Sequence, residues 1–305
     1  MTQIAPTWKI LSAIGIAVFL WGGNNIATKI VITEWPPMWA TCVRFLASSI
    51  LLLGLVQKIP SFGPSHPIDR KLKRQLWLGP GLSFTVYIVA FVWALKFTSA
   101  SNVAVYFATS PVFAMLWDCY EGQKIAWKRM LLASCLTLIG VIWLFLPTLS
   151  GSEFGWLGDG LAFIGSLLWV NFSHLSRRFQ GALSAAQLNG EIFWRTAVLL
   201  SPFAIYDHFT SDIPWNTNVV IAHIYATIGP SIFAFMAWSF ALKNWPTSKV
   251  MLFVNLIPLL TALWAQAILG ERIQNHFWIA MFFVAAGVSV SLAKTPSFLR
   301  QKGRD

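Results

Sequence analysis

The residues of this chain best suited to chemistry are polar and aromatic side chains set inside apolar runs. Trp21, Asn24, Asn25 and Thr28 are spaced to share one face of a helix. About one repeat length later the theme returns as Trp169, Asn171, Ser173 and His174. Asn102, Tyr106 and Thr109 fall at i, i+4 and i+7, and Ser231 with Trp238, like Ser248 with Asn255, lie seven apart. Tyr87 and Trp93 add two more aromatic groups. A buried amide costs a few kcal/mol unless it finds a partner. Asn24, Asn25, Asn171 and Asn255 are therefore expected to face the interior of a bundle. There they tie helices together, at about 0.6–2 kcal/mol per contact, or they grip a polar substrate. Deep aromatics stack on flat or apolar groups or attract an ammonium, so Trp21, Trp169, Trp238 and Trp93 point to an amphipathic small molecule rather than a sugar or polyanion.

Three charges stand within apolar runs. Glu191 and Arg195 are four apart and able to pair along one helix face, and Arg44 is isolated in its own run. Glu191 reads either as a proton-coupling carboxylate tuned by Arg44 or Arg195, or as half of a structural ion pair. His174 reads as a pH-sensitive gate or as a satisfied polar contact. Catalytic groups, metal ligands and cofactors are not expected: there is no P-loop, HExxH, GxSxG or Cys/His cluster. Cys42, Cys119 and Cys135 have neither disulfide nor metal spacing.

The elements that must position these residues are membrane helices. The chain is 56% hydrophobic and 11% charged, against roughly 25% charged in soluble domains. Ten apolar stretches approach the ~20 residues a spanning helix needs: 9–32, 36–56, 75–96, 99–118, 127–147, 158–177, 184–205, 218–241, 246–269 and 275–294. They are continuous rather than alternating, which argues for an all-α membrane protein over a barrel. With the N-terminus inside, seventeen basic residues, from Lys9 to Lys294, Arg300, Lys302 and Arg304, fall on the inner side, against Lys29, Lys96 and Arg272 outside. That bias makes both termini cytoplasmic. It also accounts for the net charge of +11 through the lipid bilayer, with no nucleic-acid partner.

The two halves repeat each other. Trp93-Ala94-Leu95-Lys96 with Pro111 recurs as Phe240-Ala241-Leu242-Lys243 with Pro258, an offset of 147 that also matches Gly140 to Gly287. Repeats at 9–148 and 156–294 hold five spans each. An odd number inverts the second copy, the architecture of carriers that alternate between two states. Gly140 and Gly287 are placed to permit close helix contact or a homodimer; a monomer is equally allowed.

Residues Gly158–Arg178 (GDGLAFIGSLLWVNFSHLSRR), the segment Phe91–Pro111, Leu-Gly-Glu-Arg-Ile at 269–273 and Ala286-Gly287-Val288 resemble EamA-type members of the drug/metabolite transporter superfamily. One departure is Gly122-Gln123 where the second half has Gly270-Glu271. The resemblance implies ten transmembrane helices as two inverted five-helix repeats in a bacterial inner membrane. It implies a cavity lined by the first, third and fourth spans of each repeat, and export of amino acids, related metabolites or drugs, with aromatic amino acids favoured by some members. The competing classes are a lipid or lipid-carrier flippase and, more remotely, a membrane-embedded transferase, which would need a polar cluster at one membrane face.

Overall fold

The computed structural model describes residues 5–98, 100–149 and 155–293; Lys294, Arg300, Lys302, Arg304 and the end of the second repeat at 294 lie outside them. Among the described residues the chain is helical throughout, with no strand. Helix α1 (Thr7–Ile32) starts after Pro6. Helix α2 (Pro37–Lys58) begins on Pro37, which lacks the N–H that a first helical residue leaves unbonded. Its next two amides, Met38 and Trp39, donate to Asp207 Oδ2 at 3.1 and 3.2 Å.

A short α3 (Arg70–Leu76), capped by Asp69, runs into α4 (Leu82–Phe97) through a π-helical turn at Trp77–Gly81. The turn has a cause in sequence. Pro80 has no N–H, its ring would strike the carbonyl one turn back, and Gly79 absorbs the distortion with φ −96° and ψ −107°. Gly229-Pro230 does the same in the second half, where the turn Gly229–Ala234 separates α10 (Thr217–Ile228) from α11 (Phe235–Asn244). The next span of each half is broken as well. α5 (Ala100–Ala108) passes to α6 (Ser110–Tyr120) just before Pro111. α12 (Thr247–Met251) passes through a 3-10 turn, Leu252–Leu256, to α13 (Ile257–Leu269) just before Pro258. Besides α1 and α2, the uninterrupted long helices among the described residues are α7 (Trp127–Leu149), α8 (Trp156–Phe179), α9 (Ala185–Thr210) and α14 (Asn275–Leu292).

Among the described residues eight helical stretches are long and apolar enough to cross a membrane, where ten were expected. The two missing from that set, α8 and α9, are long enough at 24 and 26 residues. They carry Asp159, Arg177 and Arg178, and Glu191, Arg195 and Asp207, which lowers their apolarity.

Packing joins the halves in pairs: α2 lies on α9, α7 on α14, α4 on α8, and α1 against both α13 and the α10–α11 rod. Gly140 and Gly287 are the crossing points of α7 and α14. A Cβ on Gly140 would come within 2.8 Å of the Ala280 carbonyl, and one on Gly287 within 2.7 Å of the Ala133 carbonyl. The close contact expected of these glycines is thus intramolecular.

Candidate functional site

Four of the expected aromatic residues converge. Trp21 on α1 meets Trp169 on α8 at 5.6 Å and Trp238 on α11 at 5.1 Å between ring centroids. Trp169 stacks on Trp238 at 5.9 Å and tilts against Tyr87 of α4 at 5.3 Å. Phe235 completes the group, 5.2 Å from Trp21. Each such pair contributes roughly 0.5–1.5 kcal/mol beyond its buried area. The cluster forms where α1 is drawn close to α13: a Cβ on Gly22 would sit 2.8 Å from Leu260 Cβ and 3.1 Å from its backbone carbon. On the other side the π turn at Gly229–Ala234 sets Ser231, Phe235 and Trp238 along one face. Trp238 Nε1 is buried without an acceptor, and an unmet buried donor costs about 1–3 kcal/mol.

Directly beside the cluster lies a polar group. Arg44 of α2 donates from Nε to Ser231 Oγ at 2.8 Å and from Nη1 to Asn24 Oδ1 at 3.2 Å. Of the two arginines considered for Glu191, Arg44 is not within ion-pair distance of it. Glu191 pairs instead with Arg195 on its own helix at 2.5 Å and accepts from Trp194 Nε1. Asn25 is exposed and donates to Thr261 Oγ1 at 2.9 Å.

Other expected residues go elsewhere. Trp93, expected deep, is exposed, stacked on Phe97 and covered by Lys96. It lies at a helix end, one turn from a basic residue, where an indole suits an interface. Tyr106 faces Phe163, 6.5 Å away. Asn171 donates to Ser83 Oγ, and Asn255 to the Ala108 carbonyl and Thr137 Oγ1. Both amides are therefore spent between helices, at α8–α4 and between the Leu252–Leu256 turn and α5 and α7.

His174 belongs to a second site that the sequence reading missed. At the basic face of the bundle, Asp118 of α6 is fully buried and its Oδ2 accepts from the Ser248 amide at 2.8 Å, in the first turn of α12. Arg177 Nη1 stands 3.8 Å and His174 Nδ1 3.9 Å from Asp118 Oδ1, while Arg178 binds Glu121. His174 stacks on Trp117 and approaches Thr247 Oγ1 at 3.4 Å. Burial opposes ionisation of Glu121, but hydrogen bonds from Arg178 and Trp117 and the charges of Arg178 and His174 outweigh it, holding the carboxyl below its ordinary range. These contacts latch α6 and α8 to α12. At the opposite face, α13 is tied to α1 and α8 to the α4–α5 corner, through Asn25–Thr261 and Thr98–Asp159. The ligand atoms of Asp118, Glu121 and His174 all lie within 4.8 Å of one another, a spacing a metal ion could use. Arg177 and Arg178 already set positive charge against Asp118 and Glu121 there. The clue in the sequence was Asp118 itself, an acid at the end of an apolar span, three residues before Glu121.

Comparison with known proteins places this geometry in context. The model of the EamA-like transporter family matches residues 8–146 and again 156–293. An uncharacterized transporter of Archaeoglobus fulgidus is 29% identical over 285 residues, covering 92% of this chain and 96% of that protein. The uncharacterized inner membrane transporter YedA of Escherichia coli is 26% identical, covering 96% and 92%. A probable amino-acid metabolite efflux pump of Salmonella typhimurium is 20% identical, covering 91% and 92%. A protein crystal structure superposes with a TM-score of 0.78 at 17% identity, over 99% of this chain and 100% of that one. At that identity the likeness shows the fold alone.

Proposed function

The chain belongs to the EamA-like transporter family and is a multi-pass membrane protein; from that premise we propose that it is a secondary transporter exporting small amphipathic metabolites. Amino acids with aromatic or large apolar side chains are the favoured substrates. In this reading ten spans form two inverted repeats, 9–148 and 156–294, in the inner membrane, with the basic face and both termini cytoplasmic. The observation that carries it is the convergence of Trp21, Tyr87, Trp169, Phe235 and Trp238 from four helices of both halves, with an unmet indole N–H and a guanidinium beside it.

Alternating access has a physical route in this fold. The basic-face latch seals the cytoplasmic side, while α5 and α13 pack on α8 and α1 rather than joining as α6 and α12 do. The Gly-Pro turns and the breaks before Pro111 and Pro258 supply joints at which helix halves swing without losing whole ladders of hydrogen bonds. Release of the latch and its replacement by equivalent contacts at the other face would exchange the two states. The name of the Salmonella relative, a probable amino-acid metabolite efflux pump, supports the substrate class.

The test is counterflow of L-phenylalanine in proteoliposomes. Trp21→Ala and Trp169→Ala are expected to cut it about tenfold, the upper end of what a lost aromatic contact pair costs, and Trp93→Ala to leave it within about twofold. Equal loss from all three would sink the cluster as the substrate site.

A further inference from the structure

We propose that Arg44 is the anion-binding residue of this transporter and takes the carboxylate of a substrate whose apolar body rests on the aromatic cluster. The proposal rests on the transporter reading above. It starts from a comparison the molecule makes with itself. Arg44 and Arg195 stand 151 residues apart, each on the second long helix of its half. Each reaches the Gly-Pro turn of the opposite half. Arg44 bonds Ser231 in the turn Gly229–Ala234. Arg195 lies 5.4 Å from the Trp77 ring, and its Cδ is 3.4 Å from where a Cβ on Gly81 would stand, both in the turn Trp77–Gly81.

The two positions differ in charge balance. Arg195 is 1% exposed and neutralised by Glu191 one turn away. At the same offset the first half has Ala40 in place of that acid. Arg44 therefore has no carboxylate within 4.0 Å among the described residues. Its five N–H donors meet two neutral acceptors, Asn24 Oδ1 and Ser231 Oγ, and its guanidinium carbon lies 5.1 Å from the Phe45 ring. A cation held among membrane helices without a counter-charge is costly and marks a binding site or pathway. Arg44 also keeps a partly exposed side chain where Arg195 is closed off.

The surroundings fix the rest of the ligand. Asn24 is three residues beyond Trp21, and Ser231 is four before Phe235 and seven before Trp238. Both partners of Arg44 thus stand one helical turn, about 5.4 Å, from rings of the cluster. An acid bound bidentately by the guanidinium would lay its side chain over Trp21 and Phe235, toward the unmet Nε1–H of Trp238. The class is a monocarboxylate with an aromatic or large apolar body. Nothing in the contacts requires its amino group.

Three probes separate these features in proteoliposome binding and flux: L-tryptophan, indole-3-propionate, which lacks the amine, and tryptamine, which lacks the carboxylate. For the wild-type protein the two acids are expected to act alike, with tryptamine at least about tenfold weaker. Arg44→Gln is expected to weaken both acids by about ten- to a hundredfold, the worth of a charge-assisted pair, and to leave tryptamine unchanged; Arg44→Lys restores part of the loss. Acid selectivity that survives Arg44→Gln overturns the proposal. Should that variant fail to fold, the wild-type series still decides, because equal handling of tryptamine and the acids overturns it too. Movement of tryptamine alone overturns the role of Arg44 and leaves the transporter reading standing. Movement of none of the probes by folded protein overturns both.

Discussion

Replacing Asp118 by Asn should unlatch the basic face. The carboxylate is fully buried and accepts the Ser248 amide at 2.8 Å, with Arg177 and His174 just under 4 Å away. Asn keeps the shape and one acceptor oxygen but removes the charge. A hydrogen bond to a charged group contributes about 1.5–3 kcal/mol against about 1 for a neutral one. The attraction of the carboxylate for the first turn of α12 adds roughly 0.3–1 kcal/mol. Arg177, with 27% of its side chain exposed, recovers solvation and is discounted. The loss is then about 1.5 kcal/mol, a roughly tenfold shift toward the unlatched state.

Ser248→Cys, in a background with Cys42, Cys119 and Cys135 replaced, reports on it. Ser248 is fully buried and its hydroxyl has no partner, so the thiol displaces no hydrogen bond. Its labelling by a maleimide added at the basic face is expected to quicken about tenfold in Asp118→Asn. A change below about twofold, with helicity and unfolding temperature preserved, would refute the latch and the energetic reasoning behind it.

Two more outcomes follow from the same contacts. Gly287→Ala should lower the unfolding temperature in detergent, because its Cβ meets backbone at 2.7 Å and overpacking costs about 1–3 kcal/mol; Gly160→Ala, where no atom lies within 4 Å, should leave it unchanged or slightly raised. Glu121 has a lowered carboxyl pKa, so its contribution to the latch is complete above the ordinary carboxylate value of about 4.3 and is lost as pH falls through the lower folded value. In the Ser248→Cys background, the difference in thiol labelling between Glu121→Gln and its parent should be constant above about pH 5 and vanish in stronger acid.

How much of this was readable in advance differs by residue. Trp21 and Trp169 could be found because the repeat places them at matched depth in two apolar runs, and depth is a property of sequence. The exposure of Trp93 could not be read in the same way, because the facing of a side chain depends on which neighbour covers it, and here those are Phe97 and Lys96. The same limit applies to Asn171 and Asn255, whose partners Ser83 and Thr137 come from distant segments. Arg44 was visible as a charge in an apolar run, but its partner was not. The i, i+4 spacing of Glu191 and Arg195 is local and could be read, whereas the bond from Arg44 to Ser231 depends on a π turn. The signal for that turn, Gly229-Pro230 matched by Gly79-Pro80, lay in the sequence unread. The latch escaped because Asp118 ends one span and Ser248 begins another 130 residues away.

The central claim is that this chain moves amphipathic amino acids across a membrane. The direct measurement is to load proteoliposomes with the twenty amino acids and common cytosolic metabolites, at matched and at acidic outer pH, and identify what leaves. Selective loss of aromatic and large apolar amino acids is the predicted result. Retention of every one of them by vesicles holding folded protein would contradict it.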